Sequence, residues 1–175
     1  MKFTISATEL NAKLIALAKV MNSKVALPIY STFLLELKDG VLRITASDMD
    51  CSRCSTLPVI DMDGANGHSE SICVTASFLL DSLKNLGDQP VTFEADEENL
   101  SVVIRYNNGQ FDMVGFPAKD YALPGTMGKS VQVTIEASVL NDSIGKSLYA
   151  VGNDDLRPIF SGIYFTKKGD ELQCA

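Results

Sequence analysis

Few residues in this chain are spaced to do chemistry. Cys51-Ser52-Arg53-Cys54 has the separation of a thiol pair, but a zinc site needs two more ligands, and only the scattered Cys73, Cys174 and His68 remain. Residues 51–57 read as a strand, in which positions three apart point to opposite faces and cannot share a metal, so reduced thiols are expected. His68 is the sole histidine and lies in the loop-like run Asn66-Gly67-His68-Ser69, which leaves no Ser-His-Asp or Cys-His arrangement to build. Asp48 and Asp50 flank a presumed turn, where acidic residues are ordinary. Gly128-Lys129-Ser130 and Gly145-Lys146-Ser147 resemble the end of a phosphate-binding loop. That loop needs a glycine five residues earlier, where Leu123 and Leu140 stand. The expectation is a protein with no catalytic residues, no metal and no cofactor.

Charge is the next source of chemistry. The formal net charge of −7 speaks against a nucleic-acid partner if taken alone. Its distribution is uneven. Residues 1–60 carry seven Lys/Arg against five Asp/Glu, residues 61–128 three against eleven, and residues 129–175 five against six. The acidity is therefore confined to the middle segment, and a local basic surface elsewhere is compatible with binding DNA. No run approaches the roughly 20 apolar residues needed to span a bilayer. The start, Met1-Lys2-Phe3-Thr4-Ile5, opens directly into strand-like alternation and is read as a native cytoplasmic N-terminus.

These residues must be positioned by a repeated framework. Residues 3–45 can be laid without a gap over residues 133–175, a constant offset of 130 (133 − 3), so that Pro28-Ile29-Tyr30-Ser31 falls on Pro158-Ile159-Phe160-Ser161. Within the first copy, residues 2–5 read as a strand. Ser6-Ala7-Thr8-Glu9 then reads as a capping box that opens a helix, with Leu10, Leu14, Leu17, Ala18 and Met21 on one face and Ala12, Ala16 and Lys19 on the other. Pro28 forces an extended exit, residues 33–38 and 41–47 form a hairpin about Asp39-Gly40, and residues 51–59 form a third strand. Residues 61–71 read as a loop. The order then recurs: a strand at 72–75, a helix at 77–86 closed by Gly87, and strands at 91–95, 100–106 and 110–115. Two β-α-β-β-β units thus make one α+β domain with pseudo-two-fold symmetry, its helices side by side on one sheet face. The expected division is a complete domain over 1–122, a Pro- and Gly-rich linker over 123–128 and an incomplete second domain over 129–175, in a chain that looks cut short.

In this order and spacing, Met1-Lys2-Phe3-Thr4, Leu27-Pro28-Ile29, Ser47-Asp48-Met49-Asp50, Phe116-Pro117-Ala118-Lys119-Asp120-Tyr121 and Arg157-Pro158-Ile159-Phe160-Ser161-Gly162 resemble the bacterial DNA polymerase III beta subunits, the replicative sliding clamps. The resemblance covers the whole chain. It implies the DNA clamp fold, with three such domains per chain, helices on the inner face and sheets outside. Two chains close head to tail into a homodimeric ring that holds the polymerase on duplex DNA. It also implies the residues for each task. Lys24, in the loop before Leu27, would lie near the duplex, and Lys13, Lys19, Lys84 and Lys146 on the helices are candidates for phosphate contacts. Asp154 and Asp155 depart from a DNA-friendly loop in the second copy. Arg157, Pro158 and Phe160 would form the near wall of a cleft for linear peptides of polymerase and clamp-loader subunits. Phe78, Leu79, Gln110 and Phe111 would belong to the ring interface. The alternative is a non-catalytic interaction module that self-associates and does not encircle DNA.

Overall fold

The alternation at the N-terminus becomes β1 (Lys2–Ser6), in which Phe3 and Ile5 are fully buried and Lys2 is exposed. The Ser6 hydroxyl accepts a hydrogen bond from the Glu9 amide at 3.3 Å and so starts α1 (Ala7–Ala18), which buries Ala7, Leu10, Leu14 and Leu17. The computed structural model describes residues 1–21, 27–49, 51–63, 69–123, 128, 132–152, 156–169 and 171–175. The chain divides into two units, Met1–Thr126 and Met127–Ala175.

In the first unit Leu27 is extended, and Pro28–Ser31 forms a 3-10 turn before β2 (Thr32–Lys38) begins. β2 and β3 (Val41–Ser47) pair about Asp39 and Gly40, whose φ angles of 49° and 77° are those of a primed hairpin turn. β4 (Ser52–Pro58) pairs on β3 and leaves its other edge open. The short β5 (Asp61–Asp63) follows within what the composition marks as loop. The second half repeats the order as β6 (Glu70–Thr75), α2 (Ala76–Leu83), β7 (Pro90–Ala95), β8 (Ser101–Tyr106), β9 (Gly109–Val114) and β10 (Phe116–Pro117). α2 is shorter than its sequence pattern. Its C-cap is Lys84, and Gly87, at φ 67°, closes the turn that follows.

The expectation of a single sheet beneath both helices is corrected by the strand order. One antiparallel sheet runs β5-β1-β7-β8-β9 and the other β10-β6-β2-β3-β4. Each half has therefore given its leading strand to the sheet of the other half. This exchange produces the pseudo-two-fold and makes the halves mutually dependent, because neither sheet is complete without a strand from across the symmetry axis. Phe3 on β1 stacks on its register partner Phe93 on β7, with ring centroids 5.2 Å apart, directly across that junction. The inward positions of both sheets and the buried faces of α1 and α2, which contact each other, form one core.

A smaller cluster sits apart from that core. Tyr30, Leu34, Cys73 and Tyr121 are all buried, and Tyr121 meets Tyr30 edge-on at 5.6 Å. The Tyr30 hydroxyl donates to the Ala122 carbonyl at 3.0 Å. The segment after β9 is thus folded back on sheet β10-β6-β2-β3-β4. Gly115 permits this approach, since a Cβ there would lie 2.8 Å from the Cys73 carbonyl oxygen. Burial pushes the Cys73 thiol up to about 12 and the Tyr121 phenol likewise to about 12, with the nearby Ser47 backbone offsetting the latter only in part.

The second unit contains α3 (Ala137–Leu148), a 3-10 turn at Pro158–Ser161, β11 (Phe165–Lys168) and β12 (Glu171–Cys174). The Pro-Ile turn is thus formed in both copies. The overlay of residues 3–45 on 133–175 would place a strand at 133–135, and residues 132–135 form no ladder among the described residues. The counterpart of that strand, β1, is held between β5 and β7, and residues 133–175 correspond to residues 3–45, a span that holds neither of those strands. α3 buries none of its residues.

Candidate nucleic-acid and partner surfaces

The strand alternation of the first unit sorts its cations by side. On β1, β3 and β8 the positions beside the core residues Phe3, Leu42, Ile44 and Ile104 point away from the helices, and Lys2, Arg43 and Arg105 occupy them. Each meets a carboxylate. Lys2 and Arg105 both reach Glu94, each at 3.3 Å, and Arg43 lies 3.7 Å from Glu36. Desolvation raises the Glu94 carboxyl, but its hydrogen bonds from Lys2 and Arg105 and their charges together outweigh it and hold it below its ordinary range. The named cations of the outer face are therefore all paired, two of them sharing Glu94.

The helix side differs. Lys13 and Lys19 are exposed on and just beyond α1, and at 100° per residue Lys19 lies opposite the buried Leu10-Leu14-Leu17 stripe, with Lys13 on its flank. Lys84 is exposed at the end of α2. Among the described residues none of these three forms an ion pair. Two acidic residues, Glu9 and Asp81, share the exposed helix surfaces, and Ala12 between Lys13 and Glu9 adds no bulk. Among the described residues, the helix side therefore carries these three exposed cations without ion-pair partners beside two exposed carboxylates.

The remaining candidates fall in different places. Lys24, Asp154 and Asp155 lie outside the described residues, as do His68 and Asp50. Lys146 on α3 differs in having an ion-pair partner, Asp142 one turn earlier, Nζ to Oδ2 at 2.7 Å on the exposed helix surface. Phe78 on α2 is 39% exposed, whereas its neighbour Leu79 is fully buried in the core. Leu79 is thereby corrected from an interface residue to a packing residue, because adjacent helix positions point about 100° apart.

β9 is an open sheet edge. Gln110 is exposed on it, accepting from Arg105 and donating to Asp112 at 2.9 Å, and Phe111 stacks on Tyr106 with centroids 4.9 Å apart. In the second unit the Arg157 guanidinium lies over the Phe160 ring at 5.1 Å, and Pro158 opens the 3-10 turn that presents this ring. Phe160 is 56% exposed, while its repeat counterpart Tyr30 is 5% exposed beneath Tyr121. One position in the repeat is thus covered by the chain's own aromatic residue in the first copy and open in the second.

Among the described residues no group of three His, Cys, Asp or Glu side chains is placed to hold a metal, and no helix is long and apolar enough to cross a membrane. Cys51 and Cys54 are exposed and Cys73 is buried. Gly145 lies inside α3, which is not the place of a glycine that wraps phosphate.

Residues 1–124 match the family described as DNA polymerase III beta subunit, N-terminal domain. Over 99% of its length the chain is 27% identical to the beta sliding clamps of Bacillus subtilis and Vibrio cholerae, covering 47% and 46% of those proteins. It is similar to the crystal structure of the DNA polymerase sliding clamp from Bacillus subtilis, with a TM-score of 0.87 at 25% identity over 99% of this chain and 46% of that one. Its similarity to the DNA polymerase III subunit beta from Pseudomonas aeruginosa gives a TM-score of 0.88 at 24% identity, over 98% and 45% respectively. The chain spans less than half the length of these relatives.

Proposed function

The chain belongs to the DNA polymerase III beta subunit family, and from that premise we propose that it forms the N-terminal part of a sliding clamp, a processivity factor that tethers a polymerase to duplex DNA. It contributes no catalysis. The observation that carries this reading is the sorting of charge between the two sides of the first unit. Lys2, Arg43 and Arg105 on the outer face are paired with Glu94 and Glu36, whereas Lys13, Lys19 and Lys84 on the helix side have no such partners among the described residues. A protein that must slide needs contacts that are electrostatic, weak and indifferent to sequence, and it gains nothing from base readout.

In this reading residues 1–122 are the first clamp domain, 123–128 the linker and 129–175 the start of the second domain. The ring partner would meet the β9 edge, with Gln110 and Phe111, together with exposed Phe78. An open strand edge is a template for exactly one more strand, so pairing there extends the sheet from one subunit to the next. Polymerase and clamp-loader subunits would dock linear peptides against the exposed Phe160 ring, beside Arg157 and Pro158. The protein would act in the cytoplasm, where the chromosome is replicated.

Two duplexes of unrelated sequence provide the test. The chain is expected to bind both with equal affinity, and the logarithm of that affinity should fall by about 0.9 for each contacted phosphate per tenfold rise in salt. A preference for one duplex, or binding that ignores salt, contradicts the proposal.

A further inference from the structure

We propose that Arg53 on β4 is a further phosphate-contacting residue of the helix-side surface; this rests on the reading that α1 faces duplex DNA. The sequence alone hides the residue, because it lies in a strand between two cysteines and far from either helix. Three observations place it. In β4 the alternation that buries Leu57 in the core puts Arg53 on the same side of the sheet, toward α1 and away from the face where Arg43 and Arg105 are paired. Its Nη1 donates to the Ala16 carbonyl at 3.1 Å, which holds the guanidinium against the last turn of α1, the part of the helix that leads to Lys19. Arg53 is exposed and makes no ion pair among the described residues, so it keeps a full charge.

The chemistry of the side chain fits the task. A guanidinium has five N–H donors in a planar fork, and one bond to Ala16 leaves the others to meet phosphate oxygens. The carbonyl anchor also removes rotamer freedom that a surface lysine would lose only on binding. Arg53 thereby extends the cationic surface from α1 onto β4, the open edge of its sheet.

The test is a titration of the full chain with a duplex at low salt, followed by NMR and by the salt dependence of affinity. The Arg53 Nε–H resonance is expected to shift together with the amides of residues 12–19, and Arg53→Gln, which removes the charge, should lower the salt slope by about 0.9 while leaving the melting temperature unchanged. Lys13→Gln should lower the slope similarly, and Arg43→Gln, on the outer face, should not. If Lys13→Gln changes the slope while Arg53→Gln does not and the Arg53 resonance stays fixed, Arg53 is only a cap for α1 and the inference fails alone. If neither substitution matters and the α1 amides do not move, the DNA-facing reading fails and takes the inference with it. Should Arg53→Gln lower the melting temperature, the Nε–H shift in the unmodified chain decides the matter by the same outcomes.

Discussion

At the scale of single residues, what distinguishes this protein is where charge and ionisable groups have been left uncompensated. Among the described residues, Lys13, Lys19, Lys84 and Arg53 are exposed and make no ion pair. Lys146 is paired with Asp142. Two buried groups, the Cys73 thiol and the Tyr121 phenol, stay protonated far above their ordinary ranges, each to about 12. The ordinary values in the unfolded chain are 9.0 and 10.0. Between about pH 9 and pH 12 the unfolded chain therefore binds fewer protons than the folded one, and stability falls as pH rises through that window, by at most about 1.4 kcal/mol per pH unit for each group. Below the unfolded values the contribution is fully present. Urea denaturation under reducing conditions at a series of pH values from 8 to 11 checks this. The decline should be shallower in Cys73→Ala than in the parent chain, and equal slopes would show that the thiol is not the source.

At the scale of elements, the Tyr30–Tyr121 contact fastens the segment after β10 to the 3-10 turn at Pro28–Ser31. Tyr121→Ala removes a buried ring from a small cluster and is expected to cost about 3 kcal/mol or more. Tyr121→Phe should be neutral or slightly stabilising, because the Tyr121 hydroxyl is buried without a hydrogen-bond partner of good geometry among the described residues. Chemical denaturation of the two variants separates these effects, and a Phe variant as damaged as the Ala variant would mean that the hydroxyl, not the ring, is what matters. Much of this level was legible beforehand. The Ser6 cap, the Leu10-Leu14-Leu17 stripe, the Asp39-Gly40 hairpin and the doubled β-α-β-β-β order are local patterns, and local patterns survive folding. The exchange of β1 and β6 between sheets was not legible, because which edge a strand joins depends on long-range pairing that its own residues do not encode. The short strands β5 and β10 were missed for the same reason: three or two residues show no periodicity, and their ladders are dictated by the neighbouring β1 and β6. Leu79 and Arg53 were misplaced or overlooked because each needs the facing of an element, which only the packed structure fixes.

At the scale of the whole molecule, the two units differ in kind. The first has a continuous core shared between two strand-exchanged sheets, while the second presents a helix with no buried residue and the hairpin of β11 and β12. Residues 133–175 correspond to residues 3–45, the span of β1, α1, β2 and β3. Clamp action belongs to a closed ring, and a ring is recognised by topology and not by affinity. The most direct measurement joins residues 1–175 to the remainder of the Bacillus subtilis clamp in place of the matching part, confirms a dimer by solution mass, and follows its retention on a circular duplex before and after that duplex is cut. A clamp is expected to stay on the circle and to slide off the ends once the DNA is linear; loss at the same rate from both would contradict it.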